Sequence, residues 1–254
     1  MSVRQIDTAV VMAGGLGMRL RPYTTVLPKP LMPIGHLPIL ELLLLQLRAA
    51  GIQNVVISVN HLAGLIQAVV GDGARLGLAV SYQMETEPLG TCGALGYLFD
   101  RLPEHFLAIN GDLLTNYPFH DLMAAHADSD AVATVATVFK AVTVEFGVLV
   151  RDEHGEIVDY VEKPKSYKEL SIGCYALDRE AARQHLQPGI FCGMPDVLKR
   201  FIHHGQRVVG LPVECTWIDI GKPEQYQQAQ ELFDSHPQSF LPTAAGTPPT
   251  PASI

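Results

Sequence analysis

What this 254-residue chain lacks narrows its function before any motif does. Cysteine is scarce: Cys92, Cys174, Cys192 and Cys215 form no C-x-x-C pair, and the ten histidines never fall at H-x-x-x-H spacing. Neither a zinc site nor a disulfide framework is therefore expected. A basic surplus is absent too, because the formal net charge is −8 at pH 7, which argues against nucleic acid as a partner. The longest apolar run, PILELLLLQL, is interrupted by Glu41 and is too short to cross a bilayer. The opening MSVRQIDTAV has no charged and apolar regions of the kind a secretory leader needs. The expectation is a soluble, cytoplasmic protein with no membrane partner. No internal repeat is visible, including the hexapeptide repeat of a parallel β-helix.

What is present is an alternation of short β-branched runs with helical patterns. Strands are predicted over 8–13, 54–59, 78–83, 105–110 and 131–138, and helices over 38–50, 62–70, 91–101 and 118–127. That order predicts an α/β fold with a doubly wound, mostly parallel sheet around one large core. The second half changes character: EFGVLVRDEHGEIVDYVEKP reads as two strands about a D-E-H-G turn, an antiparallel hairpin, so the sheet is mixed. Further strands are predicted over 170–177, 206–213 and 215–220, with helices near 178–187, 195–204 and 223–234. Residues 235–254, SHPQSFLPTAAGTPPTPASI, are rich in Pro, Thr, Ala and Ser without periodicity and are expected to form a disordered tail.

The first strand runs into MAGGLGMRLRPYTTVLPKPLMPIGHLPIL (12–40). Ala13, Gly14, Gly15 and Gly17 make a strand exit with little side chain, so backbone N–H groups are free to approach an anion. Arg19, Arg21 and Lys29 follow as a local concentration of positive charge, and Pro28 and Pro30 stiffen the backbone around Lys29. A tri- or pyrophosphate suits this combination. A Walker P-loop does not fit, for want of G-K-[ST], and a dinucleotide fingerprint fails because Leu20 stands where a third glycine is needed.

Carboxylates supply the second theme. HFLAINGD (105–112) is an apolar strand ending in Gly111 and Asp112, which puts an acid at the carboxyl edge of a parallel sheet, where such sheets bind ligands. A turn or helix N-cap aspartate is the plainer alternative. Asp219 sits among Trp217, Ile218 and Ile220, where an ionised carboxylate calls for a cation unless strand alternation turns it to solvent. Together the two offer the hard oxygen donors that hold Mg²⁺ alongside phosphate oxygens. In YQMETEPLGTCGAL (82–95), backbone from Pro88 through Gly90 to Thr91 is positioned to embrace a base edge. Glu85 or Glu87 is the candidate acceptor for guanine N1–H and N2–H₂, and each also reads as a solvated loop acid. DSD at 128–130 matches the Asp-x-Asp metal motif of glycosyltransferases, but it lies between a helix and a strand, at the wrong end of the sheet.

The stretch GGLGMRLRPYTTVLPKPLMPI closely resembles the signature G-G-x-G-x-R-L-x-P-x-T…P-K-P-L-x-P-I of the sugar-1-phosphate nucleotidyltransferases. EPLGTCGAL (87–95), NGD (110–112), FGV (146–148), EKP (162–164), SIGCY (171–175) and WIDIGKPEQY (217–226) follow in that family's order, so the resemblance covers 8–234. It implies a Rossmann-like nucleotidyltransferase fold over 1–234, with a nucleotide-binding half at about 1–130 and an antiparallel sugar-binding part at about 131–234. The implied reaction joins an NTP to a sugar 1-phosphate with Mg²⁺, giving an NDP-sugar and pyrophosphate. The resemblance implies that Arg19, Lys29 and Asp112 are catalytic and that Asp112 and Asp219 hold the metal. It assigns the nucleotide to Ala13, Gly14, Gly15, Gly17, Arg19, Lys29, Glu85, Pro88, Gly90, Thr91, Gly111 and Asp112. The sugar phosphate falls to Gly147, Glu162, Lys163, Ser171 and Gly173. EPLGTCGAL is nearest the mannose-1-phosphate guanylyltransferase branch and implies GTP with a mannose- or heptose-like sugar, the alternative being UTP or dTTP. Phe146 and Ser171 stand where many members have Tyr and Asn, so the motifs leave the sugar open. A non-catalytic regulatory relative would be expected to lose part of the set Arg19, Lys29, Asp112 and Asp219, and all four are present. A homo-oligomer is compatible with the pattern.

Overall fold

Val10, Val11, Val55, Ile57, Leu107 and Ile109 are almost wholly buried, in runs with no polar alternation, as strands covered on both faces require. The computed structural model describes residues 6–243 and 248–249. Along the chain, β1 (Thr8–Met12) enters the glycine turn, and a small pair, β2 (Pro33–Ile34) and β3 (Leu37–Pro38), leads into α1 (Ile39–Ala49). Then come β4 (Asn54–Val59), α2 (Ala63–Val70), β5 (Ala79–Met84), β6 (His105–Asn110), β7 (Leu113–Thr115), α3 (Phe119–Ala127) and β8 (Ala133–Thr143). The second half holds the hairpin β9 (Val148–Arg151) and β10 (Ile157–Val161), the long β11 (Lys165–Asp178), α4 (Arg179–His185), α5 (Met194–His203), β12 (Val208–Pro212), β13 (Trp217–Asp219) and α6 (Pro223–Ser235).

The main sheet has seven strands in the order β12-β8-β11-β6-β1-β4-β5. β1 pairs in parallel with β4 and β6, whereas β11 runs antiparallel between β6 and β8. This is the expected α/β architecture with a mostly parallel mixed sheet. One face packs on α1, α2 and α3 through Leu40, Leu44, Ile66 and Leu122, and the other on α4 and α5 through Ala182, Val197 and Phe201. Glu41, the acid inside the leucine run, has a partner: Arg75 donates to its two oxygens at 2.6 and 2.7 Å. That two-pronged geometry compensates the burial of the carboxylate. All four cysteines are free and buried. Burial pushes the thiols of Cys92 and Cys174 well above their ordinary range and that of Cys215 up to about 11.

Several expectations are corrected. The helix expected over 91–101 is only a short 3₁₀ segment, Gly93–Tyr97. Gly93 and Gly96 weaken an α-helix there, and both lie against backbone of 187–192. The strand expected over 170–177 begins at Lys165 because its first residues pair with the outer end of β8. The strand expected over 215–220 contracts to 217–219 and pairs with β7 outside the main sheet. The disordered tail is also wrong at its start. α6 runs to Ser235, a 3₁₀ turn follows at Pro237–Ser239, and Phe240 is fully buried. It joins Leu20, Ile34, Leu42, Leu114, Ile218 and Phe233 in a third apolar cluster. Residues 244–247 and 250–254 of that stretch lie outside the described residues.

Candidate active site

Parallel strands that end side by side leave a crevice at their carboxyl edge. Here β1, β4 and β6 end around a cavity of about 390 Å³, lined by the turn 12–18, by Ser58 and Asn110 at strand ends, by Lys29, Glu85, Asp112 and Phe191, and by the loop 88–91. The glycine turn is built as its composition suggests, although its glycines do different work. Gly17 has φ +60° and its carbonyl accepts the Thr24 hydroxyl at 2.8 Å, so it fixes the turn's backbone. A Cβ on Gly14 would lie 2.6 Å from Glu85 Oε1, while one on Gly15 would meet nothing within 4 Å. Gly15 is thus the turn's open point. Gly111 lies against the end of β1, where its N–H donates to Met12 O at 3.0 Å and a Cβ would crowd Val11.

Lys29 heads a short 3₁₀ turn and is almost buried. Its ammonium is paired with Asp112 Oδ2 and lies 3.5 Å from Asp219 Oδ1. Asp219 arrives because β13 pairs antiparallel with β7, Asp219 opposite Leu113, which brings residues more than a hundred apart in sequence together at one point. The Asp219 side chain is 41% exposed, so strand alternation accounts for its tolerance in an apolar segment as much as the cation does. Arg19 is exposed, and Arg19, Lys29, Asp112 and Gly221 share a smaller cavity of about 210 Å³. Arg21 is exposed and lines neither cavity.

Beside the loop 88–91 the two candidate acids separate. Glu87 is exposed, whereas Glu85 is buried. Both Glu85 oxygens are fixed: Oε1 accepts the Ser58 hydroxyl and Oε2 accepts Leu89 N–H at 3.2 Å. Thr91 serves the fold, its Oγ1 accepting from Met194 N–H at the start of α5 at 2.9 Å. Of the sugar-side candidates, Gly173 has φ +82°, and a Cβ on it would lie 2.5 Å from Asn110 Nδ2. It thereby abuts the cavity wall, at an irregularity in β11 between Ser171 and Tyr175. The Ser171 hydroxyl donates to Tyr175 Oη at 3.1 Å. Gly147, Glu162 and Lys163 flank the exposed hairpin and line neither cavity. Glu162 accepts from Tyr160 Oη at 3.0 Å there.

Sequence reasoning missed Ser58, Asn110 and Phe191. A serine inside NVVISV at a strand's carboxyl end was a usable signal for the first. Nothing local marks Phe191. The DSD segment is remote from the cavity, and Asp130 is ion-paired with Arg207. Sequence separation also hid a group at the other end of β6, where donor atoms of Glu104, His105 and Asp178 lie within 4.8 Å of one another. One of those carboxylates is already committed, since Asp178 caps α4 by accepting Ala181 N–H at 2.7 Å.

Residues 8–235 match the nucleotidyl transferase family. The chain belongs to that family. Among curated relatives, it is 31% identical over 230 residues to mannose-1-phosphate guanylyltransferase of Mycobacterium tuberculosis, a match spanning 89% of this chain and 64% of the relative. It is 29% identical over 240 residues to UTP–glucose-1-phosphate uridylyltransferase of Synechocystis, spanning 87% and 62%. The chain thus spans less than two thirds of the length of these relatives. Among solved structures, HddC from Yersinia pseudotuberculosis superposes with a TM-score of 0.70 at 27% identity, covering 90% of this chain and all of that one. HddC has also been solved complexed with GMP-PN. Among the described residues, no helix is long and apolar enough to cross a membrane.

Proposed function

We propose that this chain transfers a nucleotidyl group from an NTP to a sugar 1-phosphate, forming an NDP-sugar and releasing pyrophosphate. The observation that carries this reading is the pairing of Lys29 with Asp112 on the wall of a cavity that the glycine turn and the loop 88–91 also line, with Asp219 Oδ1 3.5 Å from the same ammonium. An oxygen of the sugar phosphate attacks the α-phosphorus in line and pyrophosphate leaves. The nucleophile is already ionised, so no general base is required, and catalysis is positioning plus charge neutralisation. Lys29 and Arg19 supply positive charge beside the open turn at Gly15, where the triphosphate is bound by backbone N–H groups.

Asp112 and Asp219 fit a Mg²⁺ site, since both carboxylates already reach one point charge, the Lys29 ammonium, and both offer hard oxygen donors. When bound, the ion adds charge neutralisation at the reacting phosphates. Guanine is the base we favour, because the fixed and buried Glu85 carboxylate suits the N1–H and N2–H₂ donor pair, which uracil and thymine, with a single N3–H between two carbonyls, do not present. The relatives acting on mannose 1-phosphate with a guanylyl donor and the GMP-PN complex of HddC support the same choice. The acceptor is then a mannose- or heptose-like 1-phosphate, bound on the side of Ser171, Gly173 and the hairpin residues Gly147, Glu162 and Lys163. We place the reaction in the cytoplasm, where nucleoside triphosphates are supplied.

Pyrophosphate release, measured for GTP, UTP, dTTP and ATP against a panel of hexose, heptose and aminosugar 1-phosphates, tests this directly. Release is expected with GTP and a mannose- or heptose-type acceptor. Equal rates with GTP and UTP would remove the guanine assignment, and no release with any pair would remove the activity.

A further inference from the structure

A base offers two features to a protein, a hydrogen-bonding edge and a flat face. Glu85 and the loop 88–91 account for an edge. The face has one candidate partner among the described residues, where Phe191 is the single aromatic lining the larger cavity. Phe191 belongs to 186–193, the connection from α4 to α5, and is 69% exposed. A lone exposed aromatic is ordinary on a protein surface. This one differs because its backbone is tied to the base loop.

Cys192 N–H donates to Leu89 O at 2.9 Å, and Cys92 N–H donates to Cys192 O at 3.1 Å. Close approach is possible only because the base loop has glycines facing this segment: a Cβ on Gly90 would lie 2.5 Å from Cys192 O, and one on Gly93 would lie 2.7 Å from Ile190 O. Gly90 also has φ +79°, a conformation that side chains resist. Cys192 is turned into the core while its neighbour Phe191 is left out of it. The segment's backbone is therefore fixed against this loop, and it presents an unburied ring to the cavity that Gly90 and Glu85 also line.

We propose that Phe191 is a nucleotide-binding residue that stacks on the face of the base, adding affinity without choosing among bases. The proposal rests on the nucleotidyl transfer reading above. Stacking on an aromatic side chain tolerates any base and its loss weakens binding by about 5- to 150-fold, whereas edge recognition by Glu85 separates one base from another. The two residues divide affinity and selectivity between them.

Calorimetric binding of GTP, UTP and inorganic tripolyphosphate to the wild type, Phe191→Ala and Phe191→Tyr tests the assignment. Phe191→Ala is expected to weaken GTP and UTP by a similar factor in that range, to leave tripolyphosphate unchanged, and to raise KM for the NTP with kcat little altered. Phe191→Tyr is expected to restore binding. Unchanged GTP affinity in Phe191→Ala would overturn the proposal, as would an equal loss for tripolyphosphate, which would mark a disturbed phosphate turn. A wild-type chain that binds tripolyphosphate but no NTP more tightly would overturn the nucleotide reading itself, and this inference with it.

Discussion

Lys29 and the two aspartates it touches act through one another, and this makes their contributions non-additive. Both carboxylates are held by a single ammonium, so neutralising either one alters the charge balance at the same point. Asp112→Asn and Asp219→Asn are each expected to cost on the order of 10²-fold in turnover, with weaker Mg²⁺ dependence and an intact fold. The double variant is expected to cost little more than either single one, since a cation no longer held correctly contributes nothing further. Steady-state rates across a Mg²⁺ titration check this, and multiplicative losses would contradict a shared site. Arg19, Lys29 and Asp112 were legible in the sequence because each sits in a contiguous motif beside glycine or proline that fixes its backbone. The Ser58 to Glu85 hydrogen bond was not, because it joins two strand ends 27 residues apart. Only the parallel pairing of β4 with β5 brings them together.

At the scale of elements, the same glycine composition supports opposite roles. Gly90 reads as part of a nucleotide loop and Gly93 as part of the helix that follows, but the space they leave is filled by backbone of 190–192. That is tertiary packing over about a hundred residues, which no local pattern carries, and it is also why the helix expected over 91–101 shrinks to a 3₁₀ segment. Gly15, by contrast, meets nothing within 4 Å. The distinction is measurable. Gly90→Ala adds both a steric clash with Cys192 O and a strained φ, and it is expected to destabilise by roughly 1–3 kcal/mol in chemical denaturation. Gly15→Ala is expected to change stability by no more than about 0.5 kcal/mol while weakening NTP binding, because a methyl group then stands where the proposed triphosphate would approach backbone. If Gly15→Ala unfolded as readily as Gly90→Ala, the turn would be structural rather than open. The alternating strands and helices of the first half were readable for the reason this loop was not: their apolar periodicity is local.

For the whole molecule, the C-terminal segment decides whether the floor beneath the site is closed. Composition marked 235–254 as disordered, and it missed one aromatic among Pro, Ser and Thr. Phe240 is fully buried and its ring lies 6.0 Å from that of Phe233 on α6. Its carbonyl accepts from Gln46 Nε2 at 2.7 Å, and Gln46, buried on α1, donates from the same nitrogen to Thr115 O at 2.8 Å on β7. The cluster Phe240 completes includes Leu114 and Ile218, which stand on β7 and β13, the strand pair that brings Asp219 opposite Leu113 and beside Asp112. Phe240→Ala therefore opens a cavity behind the carboxylate pair and is expected to cost about 3–5 kcal/mol. Truncation after Asp234 is expected to do at least as much, since it also leaves the buried Gln46 amide short of an acceptor. Gln238→Ala, on an exposed position of the same turn, is the control and is expected to stay within about 0.5 kcal/mol of the parent. Urea unfolding of the three variants measures these differences. A Phe240→Ala chain as stable as its parent would mean that the segment after α6 is not part of the folded core.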